Sequence, residues 1–579
     1  MNLDLPYRAI WILDFEYMAR NGEYPEPVCM VAHDMVSDQW IRQWFDELDG
    51  VPPFDLDSDS LFVAYAAMAE WSCFLQLGWP IPARCIDLYA EFVCIHNGSK
   101  DGRLFPSLLA AAEHYGISTI GASQKEAMRD LILGGGPWIS VQRAEILDYC
   151  AGDVLTTTAL FCSMLPRIAE NSQRLGQALL RGRYTCAVSR MERNGIPADV
   201  ETYHRLMSGW GEIKLKLIAD IDQDFGVFNG PKFVAARFAD FLQRAQIPWP
   251  RLTSGQLALD DDTFRDQAQA FPRVAPLREL RRALAKLHLA DFPIGSDGRM
   301  RTSLHPFASR TGRNQPSNSR FIFGSARWLR GLIKPAPGRA LAYVDWSSQE
   351  IAVAAALSGD DVMWRDYESG DPYLAFAKQA GLAPAHATKE THKAERQRAK
   401  GVVLGVGYGM EAESIAQQTG LHIEQARALL RQHKLTYKKF WAWVTNNQNV
   451  GLLGCALQTR FGWTWQAGPG TTINPRALLN WPMQSNGAEM MRLACCELTE
   501  QGVQVCAPIH DAILIEADID EIDQVVEKTK IAMAHASELV LGTGKIVRTD
   551  VEIIRYPDRY VDEAGGDLWD RVMRLLNEE

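Results

Sequence analysis

Arg396, Lys400, Leu404 and Tyr408 stand four residues apart, three times in succession, in the run Arg396-Gln-Arg-Ala-Lys400-Gly-Val-Val-Leu404-Gly-Val-Gly-Tyr408-Gly409. In a helix each step of four overshoots one turn by about 40°, so the four side chains form a slowly turning stripe roughly 18 Å long. Two cations lie at one end, and an apolar and an aromatic residue at the other. A nucleoside triphosphate has the same polarity: phosphates that attract Arg and Lys, and a flat base that suits an apolar or aromatic surface. Gly401, Gly405 and Gly407 would each cost about 1 kcal/mol in a helix. Close approach of a base pair to the backbone is one reason to keep them. The same spacing also suits an amphipathic helix with a solvated basic edge.

Two aspartates far apart in sequence could serve that ligand. Asp345 ends an apolar strand predicted at 340–344, and the Trp-Ser-Ser-Gln-Glu350-Ile that follows reads as strand leading into an Ala-rich helix ending near Ser358. Asp511 follows His510 at a hairpin tip between apolar strands at 503–509 and 512–516. A strand end and a hairpin tip expose carboxylates beside a sheet. Brought together, the two can bind a pair of Mg²⁺ ions and stabilise the attacking and leaving oxygens of phosphoryl transfer. Singly, each reads more readily as a turn or cap residue; the ladder beside them turns that balance toward metal binding. A further stripe, Arg476, Asn480 and Gln484, suits sequence-independent reading of minor-groove acceptors, or a solvated polar face. Pro482 is expected to kink that helix.

A second group lies near the N-terminus. Asp14 and Glu16 sit at the end of an apolar strand over 9–13, where a period of two points both to one side. Tyr149 and Asp153 are one helical turn apart and share a face.

The elements that must carry these groups are those of a multidomain α/β chain. Residues 8–165 read as a βα unit with helices around 61–77, 106–115 and 144–165. Residues 175–300 read as a charged helical module broken at Gly230-Pro231, and strands return from 340 around a helical insertion at 371–450. The 579 residues, 47% hydrophobic, can bury several cores. No run of about 20 apolar residues and no basic-then-apolar leader is present, so neither membrane insertion nor secretion is expected, and the cytoplasm is the expected compartment. Eleven cysteines without a C-x-x-C pair fit reduced thiols. The net charge of −11 is offset by a basic stretch at 277–334, and local basic surface is what nucleic acid needs.

Taken in order, Thr311-Gly312-Arg313, Asp345-x4-Glu350, Arg396-x3-Lys400-x7-Tyr408-Gly409, Arg476-x3-Asn480-x3-Gln484 and His510-Asp511 resemble the motifs of the family A DNA polymerases, over roughly residues 180–579. The resemblance implies a right-hand polymerase domain over 173–579: thumb about 180–300, palm about 301–370 and 451–579, fingers about 371–450. It implies that Asp345 and Asp511 hold two Mg²⁺, with Mn²⁺ as a substitute. Arg396 and Lys400 would bind the incoming dNTP, Lys400 also protonating the pyrophosphate, and Tyr408 would sit by the templating base. Glu350 would crowd the sugar 2′ position, and Arg313, Arg476, Asn480, Gln484 and His510 would contact primer–template DNA or the nascent pair. Two departures stand out. Leu404 replaces the usual Phe or Tyr, and Ala512 follows Asp511 where the family often has Glu.

Residues 1–172 resemble the 3′–5′ exonuclease domain of the same polymerases, RNase H-like in fold. Asp14, Glu16, Glu70 and Asp153 would hold two divalent ions, and Tyr149 would orient the attacking water. The middle motif, Tyr65-Ala-Ala-Met-Ala-Glu70-Trp, departs from the family by Glu70 for Asp and Ala66 for Asn. The implied function is template-directed DNA synthesis with proofreading, in a compact layout that resembles phage replicative polymerases with no 5′-nuclease domain ahead of the exonuclease. A helicase, single-strand-binding or processivity partner stays open. The alternatives are a nuclease whose C-terminal part only grips nucleic acid, and a DNA-binding scaffold.

Overall fold

The computed structural model describes residues 5–48, 50–99, 106–119, 121–285, 292–468, 470–471 and 473–577. Residues 286–291 of the basic stretch and Pro469 of the Gly/Pro loop at 467–470 lie outside the described residues.

The N-terminal part is built on a mixed five-stranded sheet of β1 (Ala9–Met18), β2 (Glu26–Asp34), β3 (Trp40–Trp44), β4 (Ser60–Ala64) and β5 (Cys85–Asp87), in the order β3-β2-β1-β4-β5. The β1–β2 and β2–β3 pairs are antiparallel, and β1–β4 and β4–β5 are parallel. The period of two in β1 sends Ile10 and Ile12 into one apolar cluster and Trp11, Leu13 and Phe15 into another, so the sheet is buried on both faces. Three expectations change here. β1 continues to Met18, so Asp14 and Glu16 lie within the strand. The helix expected over 61–77 divides into strand β4 and helix α1 (Met68–Leu77). Leu61, Phe62, Val63 and Ala64 are all inaccessible to solvent, and a short apolar run beside β1 pairs its backbone there better than in a helix. The antiparallel β2 and β3 extend the simple βα unit.

Helices α2 (Ala122–Leu133) and α3 (Ser140–Ile168) follow. Ile146, Cys150 and Val154 of α3 pack on the Ile10/Ile12 side of the sheet, the side that Asp14 and Glu16 also face. Helix α4 (Ser172–Asn194) joins the two halves of the chain. Its Gly182 is obligatory, since a Cβ there would lie 2.1 Å from the Cys85 carbonyl oxygen of β5. Arg181 of α4 makes a fully buried bidentate pair with Glu91 at 2.5 and 2.8 Å. The module expected at 175–300 is helical, with a small hairpin of Phe228–Asn229 and Lys232–Phe233 at the Gly-Pro break.

The C-terminal sheet is antiparallel. Its strands are β6 (Arg339–Trp346), β7 (Gln504–Ile509), β8 (Ala512–Asp518) and β9 (Thr549–Arg555), in the order β7-β8-β6-β9. Between β6 and β7 lie α5 (Gln349–Ser358), α6 (Lys393–Gly407) and the long α7 (Pro475–Glu500), with Pro482 inside α7. Glu350 therefore stands in the first turn of a helix that starts directly after Ser348, its N-cap with a left-handed φ of +52°, and not on a strand. All eleven cysteines are free thiols. Among the described residues no helix is long and apolar enough to cross a membrane.

Candidate active site

Three adjacent strands set the acidic wall of a cleft of about 1000 Å³. Asp345 pairs with Ala512 on one side and Asp550 on the other, and the two-residue loop His510-Asp511 closes the β7–β8 hairpin. Trp346 is fully buried and donates its indole N–H to the Met533 carbonyl at 3.3 Å. Successive residues of a strand alternate faces, so Asp345 is turned the other way, into the cleft. The Trp346 backbone N–H also donates to the Asp511 carbonyl at 3.0 Å, tying the hairpin tip to the end of β6. His510 takes a left-handed φ of +54° to make that turn.

Burial, with Asp511 and Asp550 nearby, pushes the Asp345 carboxyl up to about 7. Burial also raises Asp511, against the opposing pull of its own backbone hydrogen bond, Arg313 and His510. The Asp345 Oδ1 atom is buried without a hydrogen-bond partner. A buried carboxylate oxygen without a partner, beside a second carboxylate, fits a hard divalent cation.

The opposite wall is cationic. Arg396 and Lys400 project from α6 and lie over the Tyr373 ring, each 5.5 Å from its centroid. The Arg396 guanidinium donates to Asp371, which caps the helix Pro372–Gln379 by accepting from the Leu374 N–H at 3.0 Å. Leu404 and Tyr408 continue the stripe along the cleft. Tyr408 stands just beyond the last turn of α6 rather than inside it, because Gly409 at φ +71° reverses the chain. Its hydroxyl donates to Glu350 Oε1 at 2.8 Å, and burial together with that carboxylate pushes it up to about 12. Two of the α6 glycines have reasons within the protein. A Cβ at Gly405 would lie 2.7 Å from the Met410 sulfur, and one at Gly401 3.2 Å from Thr419; Gly407 has open space around it.

Arg313 lines both this cleft and an adjoining cavity of about 330 Å³, which it shares with Gln484 and His510. Its loop is clamped: the Arg310 carbonyl accepts from Trp463, Trp481 and Asn97 at 3.1, 2.8 and 2.8 Å, and Arg492 holds the Gly312 carbonyl at 2.7 Å. Gly312 has φ +74° and lies so close to the Trp463 ring that a Cβ would approach to 2.9 Å. Arg476 packs over Gly409, while Asn480 is half-buried on the next turn of α7.

The N-terminal group also assembles. Ligand atoms of Asp14, Glu16 and Cys150 lie within 4.8 Å of one another. The Cys150 thiol donates to the Asp14 carbonyl at 3.3 Å. Burial and Asp153 push Asp14 up to about 7, and burial and Asp14 push Glu16 up to about 10. Glu70 is 3% exposed, its Oε2 has no partner, and burial raises it far above the usual carboxylate range. Asp87 accepts from the Ala66 and Ala67 N–H groups, both at 3.1 Å, and so shapes the turn before α1. Asp153 is engaged by Lys125 of α2 at 2.7 Å, and that ammonium lies 5.6 Å from the centroid of the Tyr149 ring.

Asp371, Asp550, Lys125 and Cys150 escaped sequence reasoning. Asp371-Pro372 carries a helix-start signal, with a capping Asp before Pro at the first helical position. Asp550 could have been found only from strand register, and Lys125 only from the way α2 packs.

The family model of DNA polymerase family A matches residues 266–553, which include every residue of the larger cleft. DNA polymerase I of Aquifex aeolicus is 23% identical over 445 residues, covering 70% of this chain and 74% of that protein. The DNA polymerase of Mycobacterium phage D29 is 25% identical over 430 residues, covering 72% and 68%. The chain spans a smaller share, 46%, of DNA polymerase I of Chloroflexus aurantiacus. In fold it is similar to the POL domain of Pol1 from M. smegmatis, solved with DNA primer-template and dNTP, with a TM-score of 0.69 at 17% identity over 95% of this chain and 96% of that one. Residues 266–553 of the chain belong to the family A DNA polymerases.

Proposed function

We propose that this chain is a template-directed DNA polymerase that joins dNTPs to a primer 3′-OH and also removes nucleotides through a 3′–5′ exonuclease. The observation that carries the synthetic activity is the two-walled cleft, with Asp345 and Asp511 facing Arg396 and Lys400. The Pol1 domain of similar fold holds primer-template and dNTP. The right-hand division follows the sequence boundaries: thumb about 180–300, palm about 301–370 and 451–579, fingers about 371–450, behind an exonuclease at 1–172. The mixed sheet order β3-β2-β1-β4-β5 supports an RNase H-like reading of that first domain. Likeness to the phage D29 enzyme supports phage DNA replication as the setting.

Asp345 and Asp511 would hold Mg²⁺, or Mn²⁺ in its place, which when bound neutralises charge on the phosphates and lowers the pKa of the primer hydroxyl. Arg396 and Lys400 orient the triphosphate and offset its charge as pyrophosphate leaves, Lys400 being placed to give that group a proton. Tyr408 and Leu404 face the nascent base pair. Glu350, fixed by the Tyr408 hydroxyl, closes the space beside the sugar 2′ position. Arg313, Arg476, Asn480, Gln484 and His510 grip the duplex through groove edges and phosphates common to all sequences. In the first domain Asp14, Glu16, Glu70 and Asp153 form the acidic site, with Tyr149 orienting water. A 5′-labelled primer–template with Mg²⁺ tests both activities: extension with dNTPs and shortening without them support the reading, and no extension sinks it.

The Arg396–Asp371 pair adds a consequence. Triphosphate must compete with the Asp371 carboxylate for the guanidinium. Asp371→Asn keeps a helix cap and removes the charge. The expected result in steady-state kinetics is a dNTP KM lower by about three- to tenfold with kcat within about twofold; an unchanged KM would separate Asp371 from nucleotide binding.

A further inference from the structure

Lys125 reaches into the acidic cluster of the first domain. Its ammonium bonds Asp153 Oδ2 at 2.7 Å and lies beside the Tyr149 ring. It is close enough to Asp14 and Glu16 to favour their ionised forms against burial and mutual repulsion. The donor atoms that converge tightly without it are those of Asp14, Glu16 and Cys150. The cluster thus has two parts: a pair of β1 carboxylates open to an ion, and an α3 carboxylate already paired to a protein cation.

Resting on the exonuclease reading, we propose that Lys125 replaces one of the two metal ions, so that the site works with a single divalent ion on Asp14 and Glu16 and a fixed ammonium on Asp153. The physical case is one of charge. Four carboxylates gathered in a largely buried pocket need about two divalent ions, or one ion and other positive charge, to stay ionised together. The partly buried Lys125 side chain, bonded to Asp153, brings one such charge into the cluster. It offers three N–H donors but no open coordination position for water. It can therefore neutralise the scissile phosphate and hold Asp153, but it cannot make a nucleophile, which stays with the Asp14–Glu16 side. The displaced role of Asp153 also accommodates Glu70: a longer, deeply buried carboxylate fits a site centred on β1 better than one spread across to α3.

The test counts ions and does not depend on turnover. Full-length protein carrying Asp345→Asn and Asp511→Asn, to silence the larger cleft, is titrated with Mn²⁺ alone and read by electron paramagnetic resonance. Subtracting the count for the same protein with Asp14→Ala gives the ions held by the smaller site. The expected count is one with Lys125 present, one with Lys125→Arg, and two with Lys125→Met, whose side chain is of similar length and uncharged. Two ions with Lys125 intact, or no increase in Lys125→Met, would overturn the proposal. Single-strand digestion by the wild type and by Asp14→Ala is measured in parallel. Equal residual rates there would defeat the exonuclease reading while leaving the ion count, and Lys125's part in it, decided by the titration.

Discussion

Asp345→Asn should lower primer extension by on the order of a thousandfold or more, with the Kd for primer–template within about threefold. The amide is isosteric, so β6, with Trp346 anchored in the core and its register to β8 and β9, is retained. What is lost is one of two anionic ligands at a place where charge develops in the transition state. The proposed reading assigns binding of the duplex to other residues, Arg313, Gln484 and His510 among them, which line the adjoining cavity. The same carboxyl gives the reaction a pH dependence of definite sign. Free of metal it is pushed up to about 7, so below that pH a proton must leave before a cation binds. The Mg²⁺ concentration at half-maximal rate should rise about tenfold per pH unit as pH falls below 7, and level off above 8. An Asp345→Asn enzyme within tenfold of wild type would remove Asp345 from the reaction.

Glu350→Ala should raise incorporation of ribonucleotides relative to deoxyribonucleotides by roughly a hundredfold. Glu350 is held in the first turn of α5, and its carboxylate is fixed by the Tyr408 hydroxyl at 2.8 Å. A ribose 2′-OH arriving there meets an acceptor already in use and a side chain that the Tyr408 hydroxyl holds in place. Alanine removes both obstacles. Tyr408→Phe leaves the carboxylate but frees it to move, so a smaller relaxation, about tenfold, is expected. Single-turnover incorporation of paired ATP and dATP opposite the same template base measures the ratio. An unchanged ratio in Glu350→Ala would assign discrimination to other residues.

The polymerase cleft was legible in the sequence because its signals are local. A stripe of period four survives in any helix, and α6 carries it as far as Leu404. A polar dipeptide between two apolar runs marks a hairpin, and His510-Asp511 closes one. Elements whose identity depends on neighbours were misread. Leu61–Ala64 are as apolar as a buried helix turn, and only the open edge of β1 makes them a strand. Asp14 and Glu16 were placed at a strand end because charge in an apolar run looks like a terminus, whereas β1 carries them inside and α3 covers them. Contacts between distant segments left no local trace. The Lys125–Asp153 bond, the Arg396–Asp371 pair and the position of Asp550 beside Asp345 all arise from packing and register. Two of the α6 glycines also make room for Met410 and Thr419, contacts with no local sequence signal.

In the proposed reaction this cleft selects a nucleotide by its template and joins it with Asp345 and Asp511. The most direct test is single-nucleotide incorporation on four primer–templates that differ only in the first templating base, each offered the four dNTPs one at a time, with wild type and Asp511→Asn. Addition of the complementary nucleotide alone, at least about a hundredfold faster than any other and lost in Asp511→Asn, is the expected result. Addition of nucleotides without regard to the template, or undiminished addition by Asp511→Asn, would contradict it.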